Sequence, residues 1–240
     1  MMKNYIEFSG KRIEFTVERK KRKTVGISVT PEKGVLVSAP RWVDRGQLED
    51  IVEKKGGWIL KRLEALKDIK ANSKCYRAGE RYFFLGREHL LAVADDQDVK
   101  KPAVEYEEDR IWVLLPQTDP EGKADLVRDS LTAWYREEAI RIVTGRVEYF
   151  SRILGVKPAK LIFKSQKTLW GSCTRNNTIN LNWRIIIAPL EIVDYLVVHE
   201  LAHIREKNHS KAYWSLVESV LQDYRQRRKW LKDKGHLLQI

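Results

Sequence analysis

The sequence predicts an α+β fold, with a β-rich region containing a helix over residues 1–120 and a more helical region with a small sheet over residues 121–240. Short segments of alternating apolar and polar residues dominate the first half, and longer segments with helical spacing dominate the second. The segment 116–122 is rich in turn-forming residues and is the predicted boundary. A chain of 240 residues is long enough for one large domain or two small ones.

The first region is predicted to begin as a meander of antiparallel strands. Ile13, Phe15 and Val17 alternate with polar residues, which is typical of a half-buried strand. A run of five basic residues at 19–23 follows and forms the tip of a hairpin, where it either contacts phosphates or is a solvated loop. We detect no internal repeat. Further strands are predicted at 25–29, 35–37, 82–93, 104–106 and 111–115, with a helix over 48–66 that is broken or kinked at Gly56 and Gly57.

The second region combines helices with three short strands. Apolar residues at helical spacing begin at Leu126 and predict a long helix that ends near Leu154. Pro189 suits the first turn of a later helix, because its missing N–H would have no partner there. The remaining predicted elements are strands at 160–163, 169–173 and 178–181, a helix over 189–205 and a last helix over 211–234.

Charge and cysteine content restrict the partners and the compartment. The 45 Lys and Arg residues exceed the 33 Asp and Glu residues and give a formal net charge of +12. Such a charge either favours nucleic acid, anionic surfaces or acidic substrates, or only keeps a basic protein in solution. Two distant cysteines exclude a disulfide framework, and no signal peptide or apolar run of about 20 residues is present. We therefore predict a soluble cytoplasmic protein with no membrane partner.

The segment from His199 to His203 carries the strongest chemical signal. Two histidines four residues apart lie above one another on a helix face, so both imidazoles reach one ion. Glu200 directly follows the first histidine, and in this motif it serves as general base beside the metal rather than as a ligand. The pattern predicts a zinc site with His199 and His203 as ligands and Glu200 as the catalytic residue.

A third ligand is needed, because a catalytic zinc ion has three protein ligands and one open position. His209 is the obvious one, since Asn208 before it tolerates the left-handed conformation that ends a helix. Ser210 is a favourable N-cap for the next helix. The alternative is a set of core histidines without metal. That alternative requires several buried polar groups on one apolar helix, at a cost of several kcal/mol unless they are paired.

The residues around these histidines resemble the YgjP-like metallopeptidases, a zincin group related to the SprT and WLM proteases. The matching stretch runs over 169–214, and the rest of the chain is similar more loosely. The motifs are Trp170-Gly171-Ser172-Cys173, Ile179-Asn180-Leu181-Asn182, Pro189, the run from Asp194 to His203, Asn208-His209-Ser210 and Trp214.

The resemblance implies a zincin-like catalytic domain, with zinc as the cofactor and a protein or peptide as the substrate. It implies His199, His203 and His209 as ligands and Glu200 as base. Zincins bind substrate as an added strand at a sheet edge, and the candidate substrate-binding residues here are Thr178, Asn180 and Leu181, which alternatively only pack. Cys173 is expected to be structural.

Other functions remain open at this stage. YbeY-type endoribonucleases use a similar three-histidine spacing, but they lack a glutamate directly after the first histidine. A nucleic-acid-associated protease of SprT type would use the basic residues near the C-terminus for docking. A metzincin lacks support, because Glu206 stands where those enzymes have glycine. A degenerate binding module is the last alternative. Tyr213 is a weak candidate for an oxyanion-binding role, since it also belongs to an apolar helical stripe.

Overall fold

The computed structural model describes residues 3–31, 33–71, 73–107, 109–117, 119–166 and 169–240. Both helices and strands occur along these ranges, and the strands form three separate sheets. The predicted α+β class is therefore confirmed. The chain divides into two compact units, residues 1–73 and 74–240. The predicted boundary near residue 120 lies inside the second unit, and a separate domain over 121–240 stays a prediction. Within the described ranges, no helix combines the length and the apolar character that crossing a membrane requires.

The first unit is a four-stranded sheet with two helices. Its core consists of inward-facing strand residues such as Ile13, Phe15 and Val37, together with Leu48 and Val52 of the first helix. Its elements are β1 (Lys3–Phe8), β2 (Lys11–Arg19), β3 (Gly26–Thr30), β4 (Gly34–Ala39), α1 (Arg45–Lys54) and α2 (Gly56–Ala71).

The predicted helix break is confirmed, because α1 ends at Lys54 and α2 begins at Gly56. A side chain on Gly56 would collide with the ring of Phe8, so the close packing of this helix start requires glycine. Asp44 starts α1 with a capping box, in which its side chain accepts from the Gln47 backbone N–H and the Gln47 side chain accepts from the Asp44 N–H.

The described part of the second unit contains two sheets, four α-helices and two short 3-10 helices around one core. The predicted last helix is in fact two helices, because the chain leaves helical geometry at Leu221. The elements are β5 (Arg81–Phe84), β6 (Arg87–Asp95), β7 (Ala103–Glu107), β8 (Arg110–Leu115), α3 (Pro120–Leu154), β9 (Lys160–Lys164), β10 (Gly171–Cys173), β11 (Thr178–Asn182), a 3-10 helix (Trp183–Ile187), α4 (Leu190–Arg205), α5 (Lys211–Val220), α6 (Tyr224–Lys234) and a second 3-10 helix (Gly235–Leu237).

The first sheet of each unit has the same topology. The strand orders are β1-β2-β4-β3 and β5-β6-β8-β7, with the middle pair parallel and both outer pairs antiparallel. The registers also correspond, since Phe15 pairs with Val35 in one sheet and Leu91 with Ile111 in the other. The structure therefore contains an internal structural repeat, which corrects the expectation from the sequence.

Candidate active site

Helix α4 carries three of the four predicted site residues. Most of its residues are buried, including Val197, Val198 and Leu201, so the helix is fixed in the core of the second unit. Asp194 accepts two hydrogen bonds from Arg146 of α3, at 2.6 and 2.7 Å. This bidentate ion pair is mostly buried and fixes the rotation of α4 about its axis, which decides where its histidines point.

His209 lies beyond the end of α4, and its side chain approaches the histidines of that helix. Its Nε2 lies 3.3 Å from Nε2 of His199. The predicted left-handed Asn208 is wrong, because Asn208 is not among the non-glycine residues with positive φ. The helix ends instead at Arg205, and the extended backbone of the next residue, Glu206 (φ −122°, ψ 101°), redirects the chain. The predicted Ser210 cap is confirmed, since its side chain accepts from the backbone N–H of Tyr213 at the start of α5.

The Nδ1 atoms of His199 and His203 are held by hydrogen bonds. The hydroxyl of Tyr213 donates to the His199 carbonyl at 2.9 Å and accepts from His199 Nδ1 at 2.7 Å. His203 Nδ1 lies 3.1 Å from the carbonyl oxygen of Glu206, which can only accept, so this nitrogen donates. In these tautomers the lone pairs of both Nε2 atoms face inward, as metal ligation requires.

The three histidines fit a metal ion. One ring nitrogen of each lies within 4.8 Å of the other two. Zinc–nitrogen bonds of about 2.0–2.1 Å at a tetrahedral angle place two ligand nitrogens about 3.3 Å apart, which agrees with the His199–His209 distance. Burial, followed by the positive charges of its histidine neighbours and Arg228, lowers the pKa of His199 to about 3. Burial also lowers the pKa of His203 and of His209, so all three rings are neutral at neutral pH.

Glu200 follows His199 on α4, and its carboxyl group is buried and closely packed. Its side chain is 3% exposed, and its Oε2 has no hydrogen-bond partner among the described residues. A side chain on Gly171 of β10 would collide with the Glu200 carboxyl group, so the glycine leaves the space that the carboxyl group occupies. Burial raises the pKa of Glu200 to about 8. A buried carboxyl group without a partner destabilises the folded state, so its presence indicates a functional role.

A known protein family matches most of the chain. The sequence profile of the YgjP-like metallopeptidase domain matches residues 23–234. The chain belongs to this YgjP-like metallopeptidase family. Membership implies a metal cofactor and a protein or peptide substrate, and His199, His203 and His209 form a cluster that could hold a metal. No protein with a curated description matches the chain.

Two solved structures resemble part of this chain. The metallopeptidase zymogen of Pyrococcus abyssi abylysin is 26% identical and the metallopeptidase zymogen of Methanocaldococcus jannaschii jannalysin is 18% identical. Each match covers 38% of this chain, and 93% and 95% of the respective relatives, at a TM-score of 0.35.

In the YgjP-like chain, the predicted substrate strand has a different position. Strand β11 (Thr178–Asn182) is the middle strand of the order β10-β11-β9 and is paired on both sides. It is therefore not an edge strand, and the backbone of Thr178, Asn180 and Leu181 cannot accept an added strand. The Asn180 side chain is also used internally, because its amide donates to Ser172 Oγ at 3.1 Å. Strands β10 and β9 lie at the two edges instead.

The contacts of several residues around the site were not predicted from the sequence. Tyr213 was considered only for an oxyanion role, although it lies in the first turn after His209 and contacts His199. Arg146 carries no motif signal, because its partner Asp194 is distant in sequence. The structural expectation for Cys173 stays a prediction; burial raises the pKa of its thiol, so the thiol form is favoured over the reactive thiolate.

Proposed function

We propose that the chain is a zinc-dependent peptidase in which His199, His203 and His209 hold the zinc ion and Glu200 is the general base. The observation that carries this proposal is the convergence of three neutral imidazoles with one buried carboxyl group that has no partner of its own among the described residues. Zinc supplies Lewis-acid chemistry there, since it polarises a carbonyl group and lowers the pKa of water toward neutrality.

The residues of the chain supply the proton transfers. Glu200 accepts a proton from the attacking water and then donates it to the amine that leaves the scissile bond. A bound zinc ion would favour the ionised form of Glu200, and burial makes that carboxylate a stronger base, because a poorly solvated carboxylate binds a proton more tightly. Tyr213 holds His199 in one tautomer, and Arg146 holds α4 through Asp194, so neither needs to touch the substrate.

The substrate is proposed to be an extended peptide that adds to the free edge of β10. Among the described residues this strand pairs only with β11, on one side. Gly171 in β10 is in contact with the Glu200 carboxyl group, so a peptide along this edge would pass beside the base. Backbone hydrogen bonds to β10 would supply affinity without requiring one particular sequence. Contact with nucleic acid stays a prediction from the charge of +12.

The test compares zinc content and casein cleavage in the native protein and three variants. Glu200→Gln should keep its zinc and lose about 10²- to 10⁴-fold in cleavage rate, because proton transfer is lost. His209→Ala should lose zinc. Glu191→Gln, an exposed position on the same helix, is the matched control and should behave as native. Cleavage by Glu200→Gln at the native rate would overturn the general-base assignment, and cleavage of RNA without cleavage of peptide would favour a nuclease.

A further inference from the structure

A column of stacked side chains leads from the histidine cluster to Arg228 of α6. The ring of His209 stacks on Trp214 with a centroid distance of 5.4 Å, and Trp214 stacks on Tyr224 at 5.2 Å. The Arg228 guanidinium lies over Trp214, 4.7 Å from the ring centroid. Because Tyr224 is buried and Trp214 is partly buried, the surface under Arg228 is fixed by the core.

The guanidinium of Arg228 has no acceptor among the described residues, in contrast to Arg225 and Arg227 on the same helix. No described residue accepts a hydrogen bond from its guanidinium or forms an ion pair with it, and the residue is exposed. On the same helix, Arg225 pairs with Glu218 and Arg227 pairs with Asp223. On the other side of the site, the Lys207 ammonium group donates to Asn177 Oδ1 at 2.6 Å and to the Thr174 carbonyl at 3.3 Å.

The free guanidinium lies close enough to the site to act on it electrostatically. Its guanidinium lies 4.7 Å from the centroid of the Trp214 ring, and that ring stacks on His209 of the histidine cluster. Arg228 is thus a fixed positive charge at the rim of the histidine cluster, with its N–H donors directed to no group among the described residues.

We propose that Arg228 binds a carboxylate group of the substrate close to the scissile bond, either an acidic side chain or a free C-terminal carboxylate. This inference rests on the proposed peptidase function and names the substrate class of the same site. A guanidinium presents paired N–H donors that match the two oxygens of a carboxylate, and stacking on Trp214 holds its plane in one orientation. Arg228 is a specificity-determining residue in this account, and Glu200 alone carries the proton transfer.

The experiment first maps cleavage sites of the native enzyme in a mixed-sequence peptide library. The best peptide is then synthesised with Glu or Gln at each flanking position, and with a free or an amidated C-terminus. The native enzyme should cleave one carboxylate-bearing form about tenfold faster than its neutral counterpart. The position of that preference distinguishes an acidic side chain from a C-terminal carboxylate.

The variants Arg228→Gln and Arg228→Glu test the assignment. Arg228→Gln should bring the rate ratio of the acidic and neutral peptides toward one, and Arg228→Glu should favour a peptide with Lys at that position. Arg225→Gln is the matched control on the same helix and should keep the native ratio. Zinc content and thermal midpoint of the Arg228 variants, compared with native, report whether the site is intact.

Three results would overturn the inference. One is a native enzyme that cleaves peptides without preferring any carboxylate, which would leave the proposed peptidase function standing. A second is an Arg228→Gln variant that slows acidic and neutral peptides equally, which would assign Arg228 to general stabilisation. The third is a native, zinc-loaded protein that cleaves no peptide, which would refute the peptidase proposal together with this inference.

Discussion

The two four-stranded sheets have the same backbone design but different surroundings. In both, the first hairpin turns through two residues with positive φ, Ser9 (49°) and Gly10 (72°) in one and Leu85 (50°) and Gly86 (77°) in the other. These values are typical of the type I′ turn that suits twisted strands. A side chain on Gly10 would meet no atom within 4 Å, whereas one on Gly86 would collide with Pro189.

The second turn supports the helix that carries the histidines. The backbone N–H of Leu85 donates to the Ile186 carbonyl at 2.8 Å, and that of Gly86 donates to the Ile187 carbonyl at 3.1 Å. Both acceptors belong to the 3-10 helix that leads into Pro189, the N-cap of α4. One backbone motif therefore occurs twice, and within the second unit it contacts the segment that positions the candidate active site.

The largest difference between the copies is expected at the turn glycines. Gly86→Ala should lower the free energy of unfolding of the second unit by about 3 kcal/mol, because left-handed strain of about 1–2 kcal/mol adds to a forced contact with Pro189. Gly10→Ala should cost the first unit only the strain. Hydrogen-exchange mass spectrometry measures the two units separately. Equal losses in the two variants would refute the supporting role of the second turn.

A smaller difference is expected at a buried position three residues after each glycine. Ile13 is fully buried in the first sheet, and His89 (3% exposed) takes its place in the second, with no hydrogen-bond partner for either ring nitrogen among the described residues. His89→Ile should raise the free energy of unfolding by about 1 kcal/mol, because the desolvation of the imidazole is removed. Urea denaturation of the full chain measures it. A clear loss of stability would show that the ring contacts with Phe84 and Tyr106 outweigh that cost.

The histidine cluster and the local backbone were predicted from the sequence better than the strand order. Helix periodicity places His199, Glu200 and His203 together without knowledge of the fold. His209 was predicted from the need for a third ligand, although the conformation predicted for Asn208 was wrong. The Gly56 helix break was also predicted, because glycine acts on the local backbone.

Features that depend on distant partners were missed. Alternation identified β11 as a strand but contains no information about its neighbours, so a middle strand was taken for an edge. The repeat was hidden because equivalent positions share burial rather than residue type, as Ile13 and His89 show. In the sequence, Arg228 is one of several basic residues near the C-terminus. In the structure, the contact of its guanidinium with the Trp214 ring distinguishes it from them.

The most direct test of the central claim is a diffraction experiment on zinc-loaded crystals, with data collected on both sides of the zinc absorption edge. We predict one anomalous peak at the histidine cluster, bonded to His199, His203 and His209 at about 2.0–2.1 Å, with Glu200 nearby but not bonded to the ion. A peak bonded to only two of the histidines, a peak that has Glu200 as a ligand, or zinc bound elsewhere in the chain would contradict the account.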